Sequence, residues 1–196
     1  MKTRHLKMKL NNKGFSLMEL IVVIAIVVVL AGAAAVTVSM LDSSYVEDAE
    51  RGIKDYMSLT RTKSMSVSAK DWYMTIGKES GDYYAYLYKV EEEIVADGGV
   101  DKAVDKIQLI DKKKLGSSVS ITYSKDKEAT SVKSISDTAA LELHFDPATG
   151  KVNKVVYPGV DSASDLSDGI GYIGIKRNDY SINLKVYYNT GKCERE

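Results

Sequence analysis

The residues most capable of chemistry lie near the start of the chain, where a carboxylate opens an apolar run. Five basic residues occupy the first 13 positions, Phe15 follows Gly14, and Glu19 is the first acid. From Leu20 to Val36 the chain is almost entirely apolar, and with its flanks it has the roughly 20 residues that a helix needs to cross a bilayer. A carboxylate at membrane depth costs about 2.5–3.5 kcal/mol, so Glu19 predicts a functional role.

Three interpretations of this segment compete. It is a plain single-pass anchor, a secretory signal cut near Ala31-Gly32-Ala33, or a leader that is cut between Gly14 and Phe15 while the apolar helix stays attached. A secretory signal places its basic residues directly against the apolar core and has no reason to keep an acid there. The position of Glu19 therefore favours the third interpretation.

The segment Gly14-Phe15-Ser16-Leu17-Met18-Glu19-Leu20-Ile21 resembles the cleavage and methylation motif of type IV pilins and type II secretion pseudopilins. The resemblance implies that a prepilin peptidase cuts after Gly14, where a small residue lets the backbone approach the catalytic groups. It also implies methylation of the new Phe15 amine. In a filament, the positive Phe15 amine of one subunit would meet Glu19 of a neighbour, because each charge alone is costly in an apolar medium. One buried ion pair would then set the register between subunits.

The resemblance also implies partners and a location. The partners are a prepilin peptidase, other pilin or pseudopilin subunits, and an assembly platform with its ATPase. The basic leader predicts a cytoplasmic N-terminus and an external C-terminal domain. Before assembly the chain would be a single-pass protein of the cytoplasmic (inner) membrane, held by Leu20–Val36. Afterwards it would belong to a cell-surface or periplasmic filament.

Composition limits the other classes of function. The chain has 196 residues with 27 basic and 27 acidic side chains, and removal of the leader leaves 22 basic against 27 acidic, a net charge of −5. This balance gives little support to broad nucleic-acid binding. The one cysteine, Cys193, excludes an intrachain disulfide; an unpaired tail residue is the favoured interpretation, and intermolecular pairing is the alternative.

An α+β, pilin-like fold is predicted: a long N-terminal helix packed on an antiparallel β-sheet domain. The predicted segments are a leader at 1–14, a transmembrane and assembly helix at 15–41, an amphipathic continuation at 42–69 and a β-rich extracytoplasmic domain at 70–196. Asp42-Ser43-Ser44 and Gly52 are predicted weak points of the helix. Packing on the protein's own sheet is favoured over a coiled-coil partner for the apolar stripe of the continuation. That stripe is formed by Val46, Ala49, Ile53, Tyr56, Met57, Thr60 and Val67.

The remaining chain alternates apolar and polar residues, which is typical of strands. Trp72–Ile76 and Tyr83–Tyr88 predict a hairpin, joined by a turn-rich connection at Gly77–Asp82. Glu91–Lys106 predicts a charged surface excursion, and Lys112–Lys114 predicts a solvated loop, with a phosphate-binding patch as the alternative. Further strands are predicted at Ile107–Ile110, Val119–Tyr123, Leu141–Phe145, Val152–Tyr157, Tyr172–Ile175 and Tyr180–Tyr188. Connections are predicted at Ser124–Ala139, at Asp146–Gly150 and at Asn178-Asp179.

No metal or cofactor site is predicted. His5 lies in the leader, His144 stands alone in a strand, and no Cys/His cluster occurs. Asp161, Asp165 and Asp168 could offer oxygen ligands to Ca²⁺. Their spacing is not that of an EF-hand loop, so a plain solvated loop is favoured.

The predicted order of elements resembles the GspH/FimT group of minor pseudopilins and minor pilins. Val36 stands where many major pilins have proline, which favours a minor or pseudopilin subunit. The leading hypothesis is therefore a structural subunit of a type IV pilus or a type II secretion pseudopilus. The alternative is a minor pilin at a pilus tip that captures DNA or adheres. Its candidate contacts are Lys112, Lys113, Lys114, Lys176, Arg177, Lys185 and Lys192. An enzyme is not predicted, because the chain has no nucleophile elbow, P-loop or HExxH motif.

Overall fold

A computed structural model describes residues 16–66, 71–97, 100–125, 132–157, 166 and 169–196. Gly14 and Phe15 lie outside the described residues. The chain divides into two units between Ser39 and Met40. The described elements are α1 (Leu17–Ser66), β1 (Asp71–Glu79), β2 (Asp82–Asp97), β3 (Val100–Lys114), β4 (Ser120–Ser124), β5 (Lys133–Ser134), β6 (Leu141–Phe145), β7 (Val152–Val156), β8 (Ile170–Arg177), β9 (Tyr180–Tyr187) and β10 (Lys192–Arg195).

The N-terminal unit contains the apolar part of α1. This helix is long and apolar enough to cross a membrane. The large apolar side chains between Leu17 and Leu30 are 47–79% exposed in the single chain. Because so much contiguous apolar surface is unfavourable in water, it requires lipid or neighbouring helices as cover.

The C-terminal unit combines the second part of α1 with two antiparallel sheets. Sheet A has the strand order β3-β2-β1-β6-β7, and sheet B has the order β10-β9-β8-β4-β5. Every described member of the predicted stripe from Val46 to Thr60 is at most 4% exposed, and its apolar members share one core with both sheets. The prediction that the stripe packs on the protein's own sheet is confirmed; Val67 lies outside the described residues. The long helix on antiparallel sheets is the predicted α+β, pilin-like arrangement.

The two predicted weak points do not interrupt α1. The Asp42 carboxylate accepts hydrogen bonds from Asn178 (Nδ2, 2.8 Å) and Arg177 (Nε, 2.7 Å). The Asn178 hydrogen bond, together with the bond and charge of Arg177, lowers the pKa of Asp42 although burial acts in the opposite direction. A Cβ at Gly52 would lie 2.6 Å from Cδ2 of the buried Leu115. Asp42 is thus a tertiary anchor, and Gly52 permits close packing.

The first hairpin is tighter than the sequence predicted. β1 and β2 remain paired from Asp71–Val90 to Glu79–Asp82, so only Ser80 and Gly81 form the turn. Both residues have positive φ, +54° and +91°. The predicted six-residue connection is wrong, because glycine and charged residues within it are accommodated in the paired strands.

The predicted charged excursion at Glu91–Lys106 is at the surface, but it consists of paired strands that the sequence did not predict. β2 and β3 continue as one antiparallel hairpin, with pairing that extends to Asp97 and Val100. We call residues 89–97 of β2 and 100–109 of β3 the hairpin arm. Its high charge content predicted exposure, and cross-strand ion pairs such as Lys106–Glu93 (3.0 Å) accommodate those charges on exposed strands.

The basic triplet lies on a strand instead of in the predicted loop. Lys112, Lys113 and Lys114 belong to β3. They form ion pairs with Glu79 (2.5 Å), Asp55 (3.4 Å) and Asp82 (2.6 Å), respectively. Neighbouring acids from α1, β1 and β2 thus neutralise a run of cations that would repel one another on an isolated strand.

The C-terminal part follows the predicted strands and adds two more, β5 and β10. β8 and β9 are joined by Asn178 and Asp179, as predicted. The Asp146 carboxylate organises the predicted β6–β7 turn by accepting the amides of Ala148 (3.0 Å) and Thr149 (2.7 Å). Inside the predicted loop at Ser124–Ala139, the short β5 pairs with β4. Cys193 is not a tail residue, because β10 pairs it with Val186 of β9.

Candidate functional site

Ser16 and Glu19 of the predicted motif form a capping box at the start of α1. The backbone amide of Ser16 donates to Oε2 of Glu19 (3.0 Å), and the amide of Glu19 donates to Oγ of Ser16 (3.2 Å). These two bonds satisfy amides that have no partner within the helix. The S-x-x-E spacing could have predicted this capping box from the sequence, where Glu19 was interpreted only as an assembly residue. Glu19 therefore also helps to cap the N-terminus of α1.

This geometry places one exposed carboxylate at the head of an exposed apolar helix. Ser16 and Glu19 are both exposed, and the following turns present only apolar side chains. A carboxylate at a helix N-terminus is stabilised by the helix dipole. It can also attract a cation that approaches along the apolar surface. The predicted cut, the methylation and the Phe15–Glu19 contact remain predictions, since Gly14 and Phe15 lie outside the described residues.

The candidate nucleic-acid contacts do not share one face. The triplet Lys112–Lys114 lies in sheet A, and each of its members is in an ion pair. Arg177 is bound to Asp42 and donates to the Ser117 carbonyl. The structure places the remaining candidates on three adjacent strands of sheet B: Lys176 on β8, Lys185 on β9 and Lys192 on β10.

His144 is the centre of a polar cluster that was not predicted from the sequence. Its Nδ1 lies 2.5 Å from the Asp71 carboxylate and its Nε2 lies 3.4 Å from that of Glu142. Its ring stacks on Tyr73 with a centroid distance of 4.5 Å. Burial lowers the pKa of His144, but hydrogen bonds to Asp71 and Glu142 outweigh it and raise the pKa above its ordinary value. No further His or Cys joins His144, but two acids do, and Asp71 is 73 residues away in sequence, so its contact could not be predicted from local spacing.

We expect His144→Gln to reduce stability most at mildly acidic pH. The folded state raises the pKa of His144, so its stabilising contribution is complete below the pKa of the unfolded state and disappears as pH rises through the folded value. Urea unfolding of wild type and His144→Gln at several pH values between about 5 and 8 measures this difference. A difference in the free energy of unfolding that grows with pH would contradict the stabilising role of protonated His144.

Metal and thiol chemistry receive no support from the described residues. Among them, no group of three His, Cys, Asp or Glu side chains is placed to hold a metal ion. Asp161, Asp165 and Asp168, the predicted Ca²⁺ candidates, lie outside the described residues. Burial raises the pKa of the Cys193 thiol to about 12, which keeps it protonated and unreactive at neutral pH.

One comparison with known proteins bears on this site. A family model for the prokaryotic N-terminal methylation motif matches residues 9–35. No curated protein and no solved structure matches the chain. The matched segment includes the Gly14-Phe15 junction, the Ser16–Glu19 capping box and the first turns of the apolar helix. Over these residues the chain is therefore similar to proteins that carry the prokaryotic N-terminal methylation motif, and the motif lies here at the head of one long apolar helix.

Proposed function

We propose that the chain is a structural subunit, of the minor class, in a type IV pilus or a type II secretion pseudopilus. It is processed after Gly14 and polymerises through α1. The observation that carries this proposal is the exposed Glu19 at the head of a helix whose apolar side chains, from Leu17 to Leu30, are uncovered in the single chain. Lipid covers that surface before assembly, and the helices of other subunits cover it afterwards.

Glu19 gives the assembled helices their register. After cleavage, the Phe15 amine of one subunit is a cation that needs a partner in an apolar environment. The carboxylate of Glu19 is held near the helix start by the Ser16 amide (3.0 Å), so it does not need to be ordered at the moment of contact. A helix shifted by one turn along its neighbour would leave both charges unpaired, which is strongly unfavourable.

The motif implies processing by a prepilin peptidase and assembly with other pilins. A single N-terminal apolar helix fits a precursor anchored in the inner membrane. Proteins of this motif family are structural and not enzymatic. We add as proposals the assembly platform and ATPase as partners, and a cell-surface or periplasmic filament as the final location.

Two features support the minor class and the GspH/FimT group. Val36 leaves α1 without the proline that would kink it, and the helix runs without interruption from Leu17 to Ser66. The β domain has two sheets and an early hairpin directly after the helix. The alternative of DNA capture receives less support, because the seven candidate cations are divided between two sheets and most are already in ion pairs.

Mass spectrometry of the membrane-bound protein tests the proposal. We expect co-expression with a prepilin peptidase to give a chain that begins at Phe15 and carries one extra methyl group. Gly14→Glu should leave the chain uncut, because a side chain at this position blocks the close approach of the backbone. A chain beginning near Ala33 would indicate a secretory signal, and an uncut wild-type chain would indicate a plain anchor.

A further inference from the structure

A groove lies between the second part of α1 and the end of β3 with the loop that follows it. It has a volume of about 490 Å³, which is within the size range of small-ligand pockets. One wall is formed from the segment Tyr45–Asp55 and the other from the segment Lys113–Ser117. We call it the helix groove. Its charged lining residues are Asp48, Arg51, Asp55, Lys113 and Lys114.

The helix groove carries both signs of charge in balance. Arg51 pairs with Asp48 (2.5 Å) on the helix wall. Across the groove, Lys113 lies 3.4 Å from Asp55. The third cation, Lys114, pairs with Asp82 (2.6 Å), which does not line the groove. Because three cations are matched by three acids, a simple anion or cation gains no net attraction, whereas a ligand that carries both signs does.

The two ion pairs that line the groove are open to exchange. The side chains of Arg51 and Asp48 are 66% and 53% exposed, and those of Lys113 and Asp55 are 43% and 69% exposed. Ion pairs with such exposure contribute little to stability. A zwitterionic ligand can therefore replace them with its own charges and leave no side chain without a partner.

The loop after β3 adds backbone donors to one wall. Gly116 and Ser118 have positive φ, +60° and +55°, and Ser117 between them does not; successive amides in such an alternating backbone can surround an anion. The amides of these three residues donate no backbone hydrogen bond to another described residue. A Cβ on Gly116 would lie 2.6 Å from the Tyr45 carbonyl oxygen, so glycine lets the loop close on α1.

The helix groove begins close to the predicted end of the membrane span. Tyr45 follows Leu41, the last residue of the predicted transmembrane segment, by four positions. The chain therefore places the two residues at most about 14 Å apart. Tyrosine and arginine are typical of the headgroup layer, and the Arg177 guanidinium lies 4.1 Å from the centre of the Tyr45 ring. Phospholipid headgroups are thus the zwitterionic phosphate esters nearest to this groove.

We propose that the helix groove binds a zwitterionic phospholipid headgroup of the phosphoethanolamine class before the subunit assembles. The phosphate meets Arg51, Lys113 and the loop amides, and the ammonium group meets Asp48 and Asp55. This inference rests on the proposed function, because α1 must hold the chain in a membrane. A phosphoethanolamine ester in solution has the same chemistry, so the experiment separates the two sources.

Native mass spectrometry of the full chain in a non-ionic detergent tests the site. The added probes are phosphatidylethanolamine, phosphatidylglycerol and diacylglycerol, and the last, which has no phosphate, reports binding to the apolar part of α1. We expect the wild type to retain phosphatidylethanolamine about tenfold more than diacylglycerol, because the headgroup adds charge-assisted hydrogen bonds. Arg51→Gln with Lys113→Gln should abolish this preference. The control Lys133→Gln with Lys151→Gln removes the same charge outside the groove and should keep it.

A second variant tests the ammonium half of the site. Asp48→Asn with Asp55→Asn removes both carboxylates of the lining and leaves its cations. We expect this variant to retain phosphatidylglycerol in preference to phosphatidylethanolamine, because the ammonium group no longer has a partner while the phosphate does. An exchange of preference between two lipids in one sample does not result from loss of folding, and proteolysis resistance checks that each variant is folded.

Several results would overturn the site. Equal retention of the three lipids by the wild type would do so, as would unchanged preferences in the two groove variants. Soluble phosphoethanolamine should displace the lipid only in large excess; displacement at equal concentration would overturn the lipid as the source, and displacement by inorganic phosphate would overturn the zwitterion.

The outcome for processing separates this site from the proposed function. A wild-type chain that begins at Phe15 but shows no lipid preference would overturn the site alone. An uncut chain that shows the preference would overturn the proposed function alone. A chain that begins near Ala33 would have lost its membrane segment, which would overturn both.

Discussion

Glu19→Gln subunits should insert into the membrane and be cut normally, but enter filaments about 100-fold less than wild type. Glutamine can still accept the Ser16 amide in a capping box, so α1 keeps its first turn. What is lost is the negative charge opposite the neighbour's Phe15 amine. Breaking a buried ion pair by removing one partner costs about 3–5 kcal/mol, and 1.4 kcal/mol corresponds to tenfold.

Two further variants separate the charge from the cap. Ser16→Ala removes the hydroxyl that accepts the Glu19 amide (3.2 Å), at a cost of about 1 kcal/mol to the helix start. It should enter filaments within a few-fold of wild type, whereas Glu19→Ala should fail like Glu19→Gln. Competition between differently tagged wild-type and variant subunits in sheared filaments measures the ratio. Equal incorporation of Glu19→Gln would show that the carboxylate charge does not set the register.

Gly191→Ala should be among the most destabilising single-methyl changes in the β domain, by about 3 kcal/mol. Gly191 has a φ of +64°, which is strained for any residue with a Cβ. The added methyl carbon would also lie 2.2 Å from the carbonyl oxygen of Gly150 and 3.2 Å from Cε1 of Phe145. The β9–β10 turn, the β6–β7 turn and the core meet here, so none can move without disturbing another.

Gly81→Ala is the matched control for that prediction. Its φ of +91° is also positive, but no described atom lies within 4 Å of the added Cβ. Backbone strain alone should cost about 1–2 kcal/mol. Urea unfolding of the two variants and the wild type in the same detergent measures the loss in the free energy of unfolding for each variant. If both variants lost the same free energy of unfolding, the β9–β10 and β6–β7 turns would be able to move apart readily, and the Gly191–Gly150 contact would not be rigid.

Several structural features depend on residues that are far apart in sequence. Arg177 reaches Asp42 across 135 positions, and this contact turns a predicted weak point of the helix into an anchor. His144 contacts Asp71 only because β6 pairs with β1. Lys112, Lys113 and Lys114 form ion pairs with acids on three different elements. Such pairings could not be predicted from one sequence, because local spacing contains no information about which strands become neighbours.

The features that depend on local interactions could be predicted from the amino-acid sequence. The methylation motif, the apolar helix, the buried stripe of its continuation and most strands follow from residue types at fixed spacings, since periodicity decides which face is buried. The pairing of the hairpin arm, the ion pairs of Lys112–Lys114 and the shared face of Lys176, Lys185 and Lys192 became visible only in the folded chain. The reason is that strand order and cross-strand register decide which charges become neighbours, and both depend on contacts between distant parts of the chain.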